Sequence, residues 1–288
     1  MNSTSTPSLR GRVVLITGAT SGIGRATTLA LAPLGPELVL LCRDRAKGEE
    51  TAAAARAAGA ASVDLLHADL GVQSEVRRAA AEFLAGGRPL HVLSNNAGVV
   101  NVQRTATADG IEATFAVNHL AYFLFTTLLL DRLRASAPAR VVVVASDAHE
   151  SAKRGLDFDD LQSERGYRWG KVYGKSKLAN IYFARELARR LDGSGVTSNS
   201  LHPGFVRSEF GQGGDLGSLY GFGIKYLAAP FAISQEEGAR TSIHLASAPE
   251  LAGATGGYYA KCEPASQRRR AASSSRATLL GEAGRHLT

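Results

Sequence analysis

The residues best suited to chemistry in this 288-residue chain lie in one short run, Tyr173-Gly174-Lys175-Ser176-Lys177. On a helix, a four-residue spacing puts Tyr173 and Lys177 on one face, one turn apart. A phenol with an ordinary pKa of about 10 is a poor acid or base near neutrality. A neighbouring ammonium favours the phenolate and lowers that value, which makes the pair a candidate proton donor and acceptor. The same spacing also fits an exposed tyrosine beside a solvated lysine, so the pair alone decides nothing.

A second run, Thr17-Gly18-Ala19-Thr20-Ser21-Gly22-Ile23-Gly24, follows the apolar segment 13–17 and precedes a helical pattern. Glycines there permit a tight turn and close backbone approach, so amide N–H groups and a helix N-terminus can hold a pyrophosphate. Gly18, Ser21, Gly22, Ile23 and Gly24 are the candidate contacts; an ordinary glycine-rich turn is the alternative. The next apolar segment ends in Leu41-Cys42-Arg43-Asp44. An acidic residue at its end would accept from the ribose of NAD, whereas a cation would accommodate the 2′-phosphate of NADP. Cys42 stands where the acid is expected and Arg43 follows, a side chain able to grip a phosphate with two N–H groups. Asp44 reads as an N-cap for the following helix. NADP(H) is therefore the expected cofactor.

The elements that must position these residues follow from the hydrophobic pattern. Residues 13–17, 37–42, 62–67, 90–94, 140–146, 196–201 and 257–260 read as strands. Helices are expected from about 23 to 32 and over 45–58, 73–85, 109–135, 172–191 and 235–246, several of them closed by glycines. Apolar strands that do not alternate, separated by helices, imply a parallel sheet covered on both faces. The expectation is a single-domain α/β fold, doubly wound, with about seven strands.

Composition excludes several classes. The chain is 44% hydrophobic and 20% charged, ordinary values for a globular protein with a sizeable core. Its longest apolar stretch, 120–130, is far short of the roughly 20 residues of a membrane span. The Ser/Thr-rich first residues lack the charged-then-apolar order of a signal peptide. Two cysteines, Cys42 and Cys262, make no disulfide framework or metal spacing, so a cytoplasmic location is expected and no metal. Of the net charge of +7, six cations against two anions give positions 261–288 a charge of +4 and leave +3 for the 260 residues before. That is a basic tail and not a nucleic-acid-binding patch on the body.

The glycine turn, Asn95-Asn96-Ala97-Gly98, Ser146, and Tyr173 with Lys177 together resemble the short-chain dehydrogenase/reductase family, over about residues 11–262. The resemblance implies a Rossmann-type fold and a set of roles. Tyr173 would be the general acid/base. Lys177 would lower its pKa and hold the nicotinamide ribose, while Ser146 would hydrogen-bond the substrate oxygen. Asn118 would support a water chain leading to the lysine. Asp69 and Leu70 would sit beside the adenine, and Asn95, Ala97 and Gly98 would line the cofactor cleft. Pro203, Gly204, Val206 and Ser208 would contact the nicotinamide amide. Cys42-Arg43-Asp44, Asp160-Leu161-Gln162, the run Ser176 to Asn180, and Leu201-His202-Pro203-Gly204 look like the retinol dehydrogenase-like branch, as does the wide separation of Ser146 from Tyr173.

On this reading residues 1–9 are a flexible N-terminus, 10–262 the dinucleotide-binding short-chain dehydrogenase/reductase domain, and 263–288 a disordered basic tail. Residues 204–233, rich in aromatics and glycine, suit a lid over a hydrophobic substrate, or a subunit contact. His119, His149 and His202 share no ligand spacing and read as structural. The expected partner is a lipophilic carbonyl or alcohol, with no nucleic acid and no membrane span. A homodimer or homotetramer is expected from the family, with a monomer left open. NAD-dependent alcohol oxidation, or a dinucleotide sensor without turnover, are the alternatives.

Overall fold

The computed structural model describes residues 8–206 and 232–266. One eight-stranded sheet runs through it: β1 (Val13–Thr17), β2 (Glu37–Cys42), β3 (Ser62–His67), β4 (Val92–Asn95), β5 (Ala139–Val144), β6 (Val196–His202), β7 (Tyr258–Ala260) and β8 (Glu263–Pro264). The spatial order is β3-β2-β1-β4-β5-β6-β7-β8, with β1 to β7 parallel and β8 antiparallel to β7. The reversal of order between β1 and β4 is the switch point where ligands of such sheets bind, at the carboxyl ends of the strands. The eighth strand adds to the seven expected, and it uses two residues expected in the tail. Residues 267–288 lie outside the described residues.

Alternate residues of each central strand feed opposite layers, which is why the strands are apolar throughout. Val13, Leu15, Val39, Leu41, Val141 and Val143 pack under α3 (Gln73–Ala85), with Phe83 in its last turn, and under Phe125 and Phe183 from later helices. Val14, Ile16, Leu38, Leu40, Val142 and Val144 pack under α1 (Gly22–Leu31) and α2 (Arg45–Ala57), joined by Leu245 near the C-terminus. Asp44 caps α2 by accepting from the Lys47 amide, as its sequence position suggests.

The single helix expected over 109–135 is instead broken. It comprises α4 (Ala113–Phe115), a π-helical turn (Ala116–Leu120), α5 (Ala121–Leu128) and α6 (Leu130–Ala135). Its start is set by Glu112, fully buried, whose two carboxylate oxygens accept from the Thr114 and Phe115 amides at 2.8 and 2.7 Å. Upstream, Gly110 takes a φ of 75° in a turn that no helix could continue. The apolar residues run on through these breaks, so periodicity does not reveal them. Strand β5 likewise stops at Val144, two residues short of expectation, because Ser146 caps a 3-10 turn, Asp147–Ser151. Among the described residues the remaining α-helices are α7 (Trp169–Arg190), three residues longer at its start than expected, and α8 (Gln235–Ser247).

Lys261 and Cys262, with φ of 51° and 65°, form the two-residue turn between β7 and β8. Two left-handed residues in a two-residue hairpin define a type I′ turn, which favours glycine or asparagine. Cys262→Gly is expected to raise the urea unfolding midpoint and Cys262→Val to lower it, the two differing by about 1–2 kcal/mol.

Candidate active site

Every expected site residue that is described lies at the carboxyl end of the parallel sheet. The β1–α1 turn brings the glycines against the segment after β4. A Cβ on Gly24 would strike the Gly18 carbonyl and the Asn96 amide, and one on Gly18 would approach Ala97 Cα to 2.7 Å. Thr17 fastens the two segments, its hydroxyl accepting from the Asn96 and Ala97 amides at 2.9 and 3.1 Å. Gly22, at a φ of 52°, faces open space, with no atom within 4 Å of where its Cβ would be. Ser21 precedes α1 without a side-chain cap, and no carboxylate lies in that helix's first turn. An open cradle at the positive end of a helix, walled by backbone, fits a pyrophosphate.

Past the end of β2, Arg43 is largely exposed, and its guanidinium lies 3.8 Å from Asp69. Asp69 in turn accepts from the Gly71 amide at 2.8 Å, and Leu70 packs against the core. A small cavity of about 110 Å³ beside them is lined by Cys42, Arg45, Leu65, His67, Arg78 and Glu82. Arg45 and Arg78 escape motif reading because they are helix residues brought round by α2 and α3. Asn95 departs from expectation. It is fully buried, and its side chain bonds Thr126 on α5 at 2.9 Å, away from the cleft, because that sheet position faces the covered layer. Asn96, its neighbour, is the residue that engages the glycine turn.

The structure brings Asn118, Ser146, Tyr173 and Lys177 together. Lys177 is fully buried, donates to the Val144 carbonyl at 3.2 Å, and its Nζ lies 5.5 Å from the centre of the Tyr173 ring. Gly98 lies against it, with a Cβ position 3.5 Å from Nζ. Ser146 Oγ accepts from the Ala148 amide at 3.1 Å and hydrogen-bonds the Tyr173 phenol. Gly174 permits this meeting: a Cβ there would strike Ser151 Oγ and the Ala148 carbonyl on the 3-10 turn that carries Ser146.

Asn118 sits in the π-helical turn, a local widening common at functional sites. Its side chain accepts from the Val99 amide at 2.7 Å and donates to Ser176 Oγ at 3.0 Å. Its main-chain carbonyl accepts from Asn180 Nδ2 at 2.9 Å. Asn180 also reaches the Val144 carbonyl that Lys177 uses, and it meets His119 Nδ1 at 3.1 Å. Burial holds His119 neutral, its pKa down at about 4. Gln162 of the expected branch motif has a positioning role. Its side chain accepts from the Glu112 amide at 3.1 Å and its carbonyl from Arg104, which joins the two loops beside the cleft. Trp169 opens α7, half-buried.

The expected electrostatics are reversed in the free protein. Burial pushes the Tyr173 phenol up to about 12, opposed by its bond to Ser146 and reinforced by the Asp147 carboxylate. Burial alone takes Lys177 down to about 7. A drop of that size is on the order of 5 kcal/mol, more than a single carbonyl hydrogen bond returns.

After β6, Pro203 and Gly204 turn the chain, and Val206 pairs with Ile233 in an isolated parallel bridge. The two ends of the expected lid are thus pinned together, with Phe205 beside them 52% exposed. Ser208 and residues 207–231 lie outside the described residues.

A glycine turn, a switch-point cleft and a half-buried Tyr–Ser pair beside a buried lysine define a nicotinamide-dinucleotide oxidoreductase of the short-chain type. The chain belongs to the short-chain dehydrogenase family, whose pattern matches residues 12–157. It is 46% identical over 256 residues to human retinol dehydrogenase 12, spanning 88% of this chain and 79% of that one. Among solved structures, a Mycobacterium paratuberculosis protein superposes with a TM-score of 0.78 at 32% identity, covering 98% of this chain and 95% of that one. The NADP active-site complex of Pseudomonas aeruginosa RhlG gives 0.69 at 28% identity, covering 87% and 94%. No helix among the described residues is long and apolar enough to cross a membrane, and no cluster there could hold a metal ion.

Lys177 carries a stability cost that depends on pH. Below about pH 7 the buried amine is charged and the full cost is present. Between about 7 and the unfolded value of 10.5 the unfolded chain binds the extra proton, so stability rises with pH through that window. Lys177→Met is expected to raise the melting temperature at pH 6 by about 3 °C or more, an advantage that shrinks towards pH 10 in thermal scans.

Proposed function

We propose that the chain is an NADP(H)-dependent carbonyl reductase or alcohol dehydrogenase acting on a lipophilic substrate, with Tyr173 as general acid/base. The observation that carries the reading is the meeting of Tyr173, Ser146 and Lys177 at the carboxyl end of β5, beside the open cradle of Gly22. When bound, the dinucleotide supplies or accepts the hydride. Tyr173, protonated by burial in the free protein, gives its proton to the carbonyl oxygen as negative charge develops there. Ser146 donates to the same oxygen, a preorganised contact that strengthens in the transition state. Lys177, charged once ribose hydroxyls and phosphates approach, favours the phenolate that proton transfer leaves behind.

Arg43, exposed and held only by a long contact to Asp69, is the residue for the 2′-phosphate, with Arg45 close behind it. Gly18, Ser21, Gly22, Ile23 and Gly24 hold the pyrophosphate, while Pro203, Gly204, Val206 and Ser208 meet the nicotinamide. The lipophilic substrate is supported by the exposed ring of Phe205 at the cleft and by the retinoid named in the human relative. Two free cysteines accord with work in the reducing cytoplasm.

Absorbance at the reduced-nicotinamide band tests this with NADPH and NADH against lipophilic ketones and aldehydes, retinal included. Tyr173→Phe is expected to lower kcat by about 1,000-fold. Arg43→Ala is expected to raise the KM for NADPH by about tenfold or more and to leave that for NADH unchanged. Tight NADPH binding without turnover of any carbonyl would instead make the protein a dinucleotide sensor.

A further inference from the structure

Two fully buried polar side chains beside Lys177, His119 and Asn180, have no part in the proposed reaction. Asn180 Nδ2 donates to the Asn118 carbonyl at 2.9 Å and to the Val144 carbonyl at 3.2 Å. Carbonyl oxygens only accept, so the amide must face them with its NH2 group, and Oδ1 is left turned towards His119. His119 Nδ1 lies 3.1 Å from that oxygen and must therefore carry the ring proton. Burial holds the imidazole neutral, its pKa down at about 4, so this tautomer persists near neutrality.

Packing alone does not account for this arrangement. His119 Nε2 is left as a buried acceptor without a hydrogen-bond partner, and the ring lies against Phe115 and Phe183, with centroids 5.2 and 6.3 Å away. A phenylalanine would fill that apolar slot without an orphaned nitrogen. It could not supply the Nδ1–H that fixes the Asn180 amide. The Val144 oxygen has two lone pairs, and Asn180 fills one of them. Lys177 can then place only one N–H there and keeps the others for the cleft. The same amide holds the Asn118 carbonyl, and the Asn118 side chain holds Val99, next to the Gly98 that lies against Lys177 Nζ.

Resting on the proposed role of Lys177 at the nicotinamide ribose, we propose that Asn180 is the positioning residue that aims the Lys177 amine into the cleft, and that His119 locks Asn180 in the working orientation. The imidazole N–H sets the amide, and the amide sets the Val144 and Asn118 carbonyls. Those carbonyls set the amine and the wall beside it. Both side chains are fully buried and act through other groups.

The test measures dissociation constants by calorimetry for NADPH and for adenosine 2′,5′-bisphosphate, which lacks the nicotinamide ribose. Wild type is compared with His119→Phe, His119→Asn, Asn180→Leu and Lys177→Met. His119→Asn keeps an N–H on the same side-chain carbon that bears Nδ1 but leaves much of the ring's space empty, whereas His119→Phe fills the space and has no N–H. Positioning therefore predicts an inversion of stability and binding. His119→Phe should melt at or above the wild-type temperature yet bind NADPH about tenfold more weakly. His119→Asn should melt lower and bind NADPH within about twofold of wild type. Asn180→Leu and Lys177→Met should weaken NADPH by about tenfold or more, and all four should bind the bisphosphate as wild type does. Wild-type NADPH affinity in His119→Phe and Asn180→Leu, beside a weakened Lys177→Met, would overturn the inference and leave the reading of Lys177 standing. Loss of both probes by His119→Phe, or NADPH binding by His119→Asn as weak as by His119→Phe, would also overturn it. Wild-type NADPH affinity in Lys177→Met would overturn the inference and the reading together.

Discussion

The arrangement of the cleft depends on burying one amine. Lys177 sits under the carboxyl ends of β4 and β5 with a main-chain carbonyl as its acceptor and, among the described residues, no carboxylate to pair it. Desolvation is therefore uncompensated, and everything around the amine must be shaped to hold it. Val144 offers its carbonyl only because β5 ends there, and β5 ends there because Ser146 turns the chain into a 3-10 cap. Asn180, one turn further along α7, shares that carbonyl and ties it to the π-helical turn bearing Asn118. The strand end, the cap and the helix distortion are thus parts of a single support.

The same constraint governs how closely α7 may approach. Gly174 lets the helix lie against the turn after Ser146, and Gly98 lets the loop after β4 lie against Asn118 and Lys177. Small residues at these points bring phenol, hydroxyl and amine within reach of one another. Glu112, Gln162 and Arg104 do comparable work further out, satisfying the backbone of two long loops so that they can wall a cleft without regular structure.

Much of this was legible in the sequence. Strands β1, β2 and β3 and helix α3 fall where apolar runs and glycine stops place them, because tertiary packing there agrees with local pattern. Tyr173 and Lys177 were legible from spacing, since a regular helix converts spacing into geometry. The helix break around Asn118 was not, because the Glu112 carboxylate and the Gly110 turn act on a segment whose hydrophobicity runs unbroken. Nor was the outward role of Asn95 seen to fail, since a four-residue strand shows too few positions to tell its two faces apart. Asn180 is a single polar residue whose partners Asn118, His119 and Val144 are remote in sequence, and only the fold brings them near; Arg45 and Arg78 belong to no motif and are brought to one cavity by two separate helices.

The electrostatics show why motif and mechanism are separate questions. Proximity of a lysine was expected to ionise the tyrosine, yet in the free protein both groups move towards neutrality, the phenol upward and the amine downward. Coulombic attraction in a dry site is strong only if both charges exist, and burial removes them first. A site left uncharged avoids holding an unpaired ion under the sheet while it is empty. On the proposed function, ribose hydroxyls would replace the solvation that Lys177 has lost. Arrival of the dinucleotide would then draw a proton onto Lys177 and tie readiness of Tyr173 to presence of the hydride carrier.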